Sequence, residues 1–231
     1  MTTRSATVLA LLACTALLPG APAGRAQTKA RPDDARICAT ESGRGAVESC
    51  TRAIASRRFT RSELALLHYR RAMLLRDAGD FEGAIADLSA AIHLNGDAIP
   101  TSADAFDVMI SQRSAYALRG RTFADKNDYD HALADVDMLL KADAKDMRAL
   151  ALRAGIFARQ GACARAIADF DAVIATDPKA WDGYLGRAQC YAKLGDRDRA
   201  VADYRLALAV AVPESVKSQV LSELQKLGAA P

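Results

Sequence analysis

Aromatic residues fill only 6% of the 231 positions, and there are just seven prolines and fourteen glycines. A large β core draws on aromatic side chains and frequent turn residues, so these shortages argue against one. No charge sign dominates either. Thirty-one basic and 28 acidic residues leave +3, which falls to +1 once Arg4 and Arg25 of the N-terminal segment are set aside. That balance gives no electrostatic case for nucleic acid or an anionic membrane surface. A C-x-x-C pair, zinc-spaced cysteines, H-E-x-x-H, a phosphate-cradling glycine loop and a G-x-S-x-G elbow are all missing. His68, His93 and His131 fall at unrelated positions and read as surface or partly packed side chains. No metal, cofactor or catalytic constellation is expected, and the chain reads as a non-enzyme.

What is present is alanine, within a hydrophobic fraction of 51%. Small side chains let helices approach closely, which suits many short packed helices. Residues 1–26 read instead as a targeting signal. Arg4 supplies the positive start, Ala6 to Leu18 is an apolar run too short to span a bilayer, and small residues follow Pro19 and Gly20. Cleavage is expected after Ala26, with Ala23 as the alternative. Leu11-Leu12-Ala13-Cys14 resembles a lipid-attachment motif, but the apolar run continues past Cys14. The expected localisation is therefore export, to a bacterial periplasm, with a lipoprotein anchored through Cys14 as the alternative. No other apolar run is long enough for a transmembrane segment once the signal is removed.

Internal periodicity carries most of the information. Ala132, Ala166 and Ala200 are spaced by 34 residues each, and Ala84 precedes Ala132 by 48, one period plus fourteen. Twelve residues before each stands Ala72, Gly120, Ala154 or Ala188; nine before stands Leu75, Phe123, Phe157 or Tyr191. Four after come Leu88, Val136, Phe170 and Tyr204, on the same helix face as the alanine. Gly79, Asn127, Gly161 and Gly195 are placed to supply a left-handed turn between two helices. Asp87, Asp135, Asp169 and Asp203 recur three residues after the alanine, which reads as a structural or surface role rather than a catalytic carboxylate pair.

These residues resemble the tetratricopeptide repeat family. The resemblance runs from about Arg61 to Pro213 and is best over Trp181 to Pro213, through Tyr184, Leu185, Gly186, Ala188, Tyr191, Gly195, Ala200, Tyr204 and Ala207. It implies an all-α fold, a right-handed α-solenoid of stacked helix–turn–helix pairs. The expected organisation is a linker and degenerate helix pair over 27–60, four repeats over 61–213 and a capping helix and tail over 214–231. An insertion near 97–112 is expected to lengthen the first helix of repeat two, capped by Ser102, with a flap over the binding groove as the alternative. The front pair would place a helix near Ala35 to Thr40, capped by Asp33 or Asp34, against Ala46 to Ile54.

Four cysteines remain outside the signal, and in an exported chain an even number reads as disulfides. Cys38–Cys50 would staple the front pair, and Cys163–Cys190 would join two stacked helices. The resemblance also implies a protein or peptide partner in the concave groove lined by first helices, where Tyr69, Met73, Arg76, Arg121, Arg148, Arg159, Gln189 and Lys193 are the candidates. Their cationic bias favours an acidic or C-terminal carboxylate segment. The Lys/Asn pattern with which some members clamp chaperone tails is missing, since Tyr69 and Met73 stand where it would begin. The expected role is an exported protein–protein interaction scaffold; the alternative is an accessory or regulatory subunit of an exported enzyme.

Overall fold

The computed structural model describes residues 31–99, 106–210 and 213–229. The signal segment, Cys14 and the expected Ser102 cap lie outside them. Among the described residues the chain forms eleven α-helices and no strand. They are α1 (Asp34–Thr40), α2 (Arg44–Ala55), α3 (Arg61–Asp77), α4 (Phe81–Asn95), α5 (Phe106–Asp125), α6 (Tyr129–Ala142), α7 (Met147–Arg159), α8 (Cys163–Thr176), α9 (Trp181–Lys193), α10 (Arg197–Ala209) and α11 (Glu214–Lys226). At 20 residues, α5 is the longest of them.

Each helix packs on its neighbours in the chain, as in a solenoid. The odd-numbered helices also touch one another: α1 meets α3, α3 meets α5, α5 meets α7 and α7 meets α9. The even-numbered helices make no comparable contacts among themselves within the described residues. The stack therefore curves with α3, α5, α7 and α9 on its inner face.

Local sequence explains the hairpins. Gly79, Gly161 and Gly195 have φ near +80°, and Asn127 sits at +61°, in the left-handed region that asparagine tolerates best after glycine. Asp80, Asp128 and Asp196 follow, and each side chain accepts a hydrogen bond from the backbone N–H three residues on. Ala162 takes that position in the third repeat and offers no such bond. Thr60 and Glu63 form a reciprocal capping box at the start of α3.

The repeated alanines sit where helices cross. Ala84, Ala132, Ala166 and Ala200 are fully buried, as are Ala72, Ala154 and Ala188 opposite them. At Gly186 the approach is closer still. A β-carbon there would lie 2.2 Å from Phe170 Cζ, with two more ring atoms within 2.8 Å. Gly186→Ala is therefore expected to lower stability by about 1 kcal/mol, an overpacking cost of roughly 1–3 kcal/mol offset in part by the ~1 kcal/mol helix preference for alanine. Urea unfolding of the variant measures this. Restored stability in Gly186→Ala/Phe170→Leu would identify the ring as the cause, and an unchanged single variant would disprove the clash.

At the C-terminal end, α11 lays Val220 and Leu224, both fully buried, over Tyr204 and Val201 of α10. At the N-terminal end, a disulfide joins Cys38 of α1 to Cys50 of α2, with Cα atoms 4.7 Å apart. The sequence expectation of an Asp33 or Asp34 side-chain cap on α1 is corrected. Asp33 occupies the cap position without a side-chain bond, and Asp34 is buried inside the pair. Its carboxylate accepts from Arg52 Nη2 at 2.7 Å and from the Arg31 backbone N–H at 2.6 Å.

A second disulfide is not formed. Cys163 and Cys190 are free thiols in one buried cluster with Phe157 and Phe170. Burial, then the neighbouring Cys163 thiol, pushes the Cys190 thiol up to about 12. The thiolate needed for disulfide exchange is suppressed there.

Candidate functional site

The recurring aspartates are buried and paired. Arg71 meets Asp87, Arg119 meets Asp135, Arg153 meets Asp169 and Arg187 meets Asp203, each with two nitrogens donating to two carboxylate oxygens at 2.6–2.9 Å. Arginine on the first helix and aspartate on the second thus form a fork–fork pair in every full repeat. The arginines reach backwards too. Arg71 donates to Thr51 of α2, Arg119 to Ser89 of α4 and Arg187 to Asp171 of α8. Each of these three guanidinium groups ties its own hairpin to the preceding one.

Burial pushes the Asp87 carboxyl up, but the Arg71 and His68 donors outweigh it and hold it below the ordinary range. Asp135 has Arg119 but no such histidine donor, and there burial prevails and raises it. His68 Nδ1 lies 2.8 Å from Asp87, whereas His93 and His131 are largely exposed. Among the described residues no group of three His, Cys, Asp or Glu side chains is placed to hold a metal ion.

The concave face opens between α5, α7 and α9 into a groove of ≈ 470 Å³. Small residues, Ala117 and Ala124 on α5 with Ala151 and Gly155 on α7, make up part of its lining, beside Leu152 and Ile156. Helices with such small residues let another chain lie close. Around the groove stand Arg121, Arg148 and Arg159, together with Asp125 and Asp182. Arg121 and Arg148 are exposed and have no side-chain hydrogen bond or ion pair among the described residues. Arg159 donates to Asp125 at 3.0 Å, and Arg76 of α3 donates to the other Asp125 oxygen at 2.5 Å. Burial acts to raise Asp125, but Arg76 and then Arg159 hold it below the ordinary carboxylate range.

Three of the eight groove candidates, Arg121, Arg148 and Arg159, are thus brought together, and Arg76 joins them through Asp125. The other four do not line the groove. The Tyr69 ring packs against the core of α3 to α6, and Met73 beside it is half-buried. Gln189 is half-buried on α9, and Lys193 Nζ donates to the Ala158 carbonyl at 3.0 Å, fastening α9 to α7. Asp125 is a groove residue that helix phase alone did not single out. It stands seven before its repeat alanine, the position held by Arg159 and Lys193 in the next two repeats.

The sequence profile of the tetratricopeptide repeat matches residues 118–180 and 159–215. No curated protein sequence matches the chain. Among solved structures, a tetratricopeptide repeat protein from Parabacteroides merdae ATCC 43184 superposes with a TM-score of 0.64 at 16% identity. The match covers 80% of this chain and 66% of that one, just under two thirds of its length. A thermophilic tetratricopeptide repeat protein of Thermus thermophilus gives 0.55 at 18% identity, covering 78% and 90% of the two chains. MamA (41-end) from Desulfovibrio magneticus RS-1 gives 0.52 at 14%, covering 71% and 93%. Residues 118–215 of this chain belong by sequence to the tetratricopeptide repeat family, and the described helices share the fold of these solved repeat proteins.

Proposed function

We propose that this protein is an exported interaction scaffold that holds an acidic segment of a partner protein in the groove between α5, α7 and α9. The fold supports a protein–protein interaction role in general terms. The finer reading is carried by one observation: Arg121 and Arg148, two guanidinium groups unpaired among the described residues, stand over a groove lined by alanine, glycine, Leu152 and Ile156. Unpaired arginines recognise carboxylates with planar, two-point geometry, and small lining residues leave room for a backbone. Export is proposed from the character of residues 1–26 and from Cys38–Cys50, since disulfides persist in oxidising compartments.

The test is to immobilise the protein lacking residues 1–26 and to measure binding of a fluorescein-labelled hexaglutamate peptide and of proteins from envelope extract. Arg121→Glu/Arg148→Glu, which reverses two charges, is expected to weaken hexaglutamate binding at least tenfold and to release the captured acidic partners. Equal binding by the reversed variant would sink the groove. Recovery of the full-length chain with its N-terminus at Met1 from a periplasmic fraction would count against signal removal.

A further inference from the structure

Asp125 is the last residue of α5 and projects a carboxylate into a groove whose other charged groups are mostly cationic. It accepts from Arg76 on one side and from Arg159 on the other, so one acid spans α3, α5 and α7 along the concave rim. Its hold on Arg76 is incomplete, for the Arg76 Nε is buried with no acceptor. Asp125 is only partly enclosed, its side chain 26% exposed. At the same position of the next two repeats the residue is Arg159 or Lys193. Asp77 holds the same position in the first repeat, so the two leading repeats place an acid where the two that follow place cations, and the acid of the second engages one of the three arginines that face the groove.

We propose that Asp125 is a built-in competitor of the groove's acidic ligand, occupying Arg159 when the groove is empty and surrendering it when a ligand carboxylate arrives. This rests on the groove reading above and adds its regulation. An incoming acid is drawn first to Arg121 and Arg148, whose guanidinium groups have nothing to release. It then meets repulsion from Asp125, and the guanidinium of Arg159 is shared or exchanged. The resting contact lowers affinity for singly charged segments and favours ligands with several carboxylates, which replace the lost pair. Arg76 keeps Asp125 on the rim once Arg159 has turned to the ligand.

The experiment measures hexaglutamate affinity for the wild-type protein, Asp125→Asn and Asp125→Ser, with thermal melts confirming that each is folded. Removing the charge is expected to tighten binding about fivefold, the scale of releasing one partly exposed ion pair and its repulsion. Unchanged or weaker binding by folded Asp125→Asn and Asp125→Ser overturns the competitor. Arg121→Glu/Arg148→Glu made in the Asp125→Asn background separates the two readings. If it abolishes binding while Asp125→Asn alone gains nothing, the groove stands and the competitor fails. If it changes nothing, or if neither wild type nor Asp125→Asn binds the peptide, the groove reading fails and the competitor with it.

Discussion

Arg187→Ala is expected to cost about 3 kcal/mol and to lower Tm by roughly 6–12 °C. The Arg187 guanidinium donates at 2.7 and 2.8 Å to Asp203 and at 2.5 Å to Asp171, and it lies over the rings of Tyr184 and Tyr191. Asp203 is 4% exposed. Removing its cation leaves a carboxylate inside the α9–α10 hairpin with neither water nor a partner, which is the costly half of a buried pair. Asp171 is half exposed and loses little. The expected loss sits at the low end of the range for buried pairs because the arginine keeps 19% of its side chain in contact with solvent. Arg187→Lys retains a charge but not the fork, and intermediate stability is expected. Arg187→Met/Asp203→Leu removes both charges and should recover most of the loss. Chemical and thermal unfolding measure all three. A single alanine variant within 0.5 kcal/mol of wild type, on the scale of an exposed pair, would show that the node is ornamental.

Removing the front disulfide is the other large change expected. Cys38 and Cys50 are twelve residues apart, and closing a loop of that size contributes ~3 kcal/mol in the chain-entropy description. In Cys38→Ser/Cys50→Ser, α1 has only seven residues, too few to hold a helix on local propensity. The Asp34–Arg52 pair and the contacts of α1 with α3 remain, so the front pair loosens rather than the whole array. Limited proteolysis is expected to cut the variant within residues 31–60 while the four repeats from Arg61 to Pro213 stay intact. Dithiothreitol should give wild type the same pattern. Identical cleavage of oxidised wild type and the variant would show that the bridge restrains nothing.

The hairpins were legible because one alanine phase and its turn residues recur. Ala84, Ala132, Ala166 and Ala200 mark crossings that tolerate nothing larger, and a left-handed glycine or asparagine precedes each. Arg71, Arg119, Arg153 and Arg187 recur at the same phase, one residue before the small residue of the first helix. That signal was available. It is obscured because an arginine beside a crossing position has the periodicity of a solvated helix face. Its burial depends on a partner sixteen residues away, which helix phase alone does not identify. The groove was legible in part for a related reason. Phase places Tyr69 and Arg121 on the inner side of their helices but does not say how deep each lies. Tyr69 turns into the core and Arg121 stays in solvent. Asp125 and Asp182 line the groove as well, and helix phase alone did not single them out. The expected Cys163–Cys190 bridge is absent although both thiols lie in one buried cluster, where burial pushes the Cys190 thiol up.

The front pair reverses the polarity of the others. Aspartate is on its first helix and arginine on its second, with Asp34 of α1 facing Arg52 of α2. In the four hairpins that follow, the first helix brings the arginine. Any of those first helices laid against α2 in place of α1 would set a second guanidinium beside Arg52, with no carboxylate between them. Like charges brought together at a buried contact repel, so α3, α5, α7 and α9 are expected to substitute poorly for α1, whether from the same chain or from a neighbouring molecule. Exchange of hairpins between copies, a recurrent hazard of arrays built from near-identical units, is disfavoured at this end by a pair of opposite order and wider spacing, eighteen residues apart where the others are sixteen.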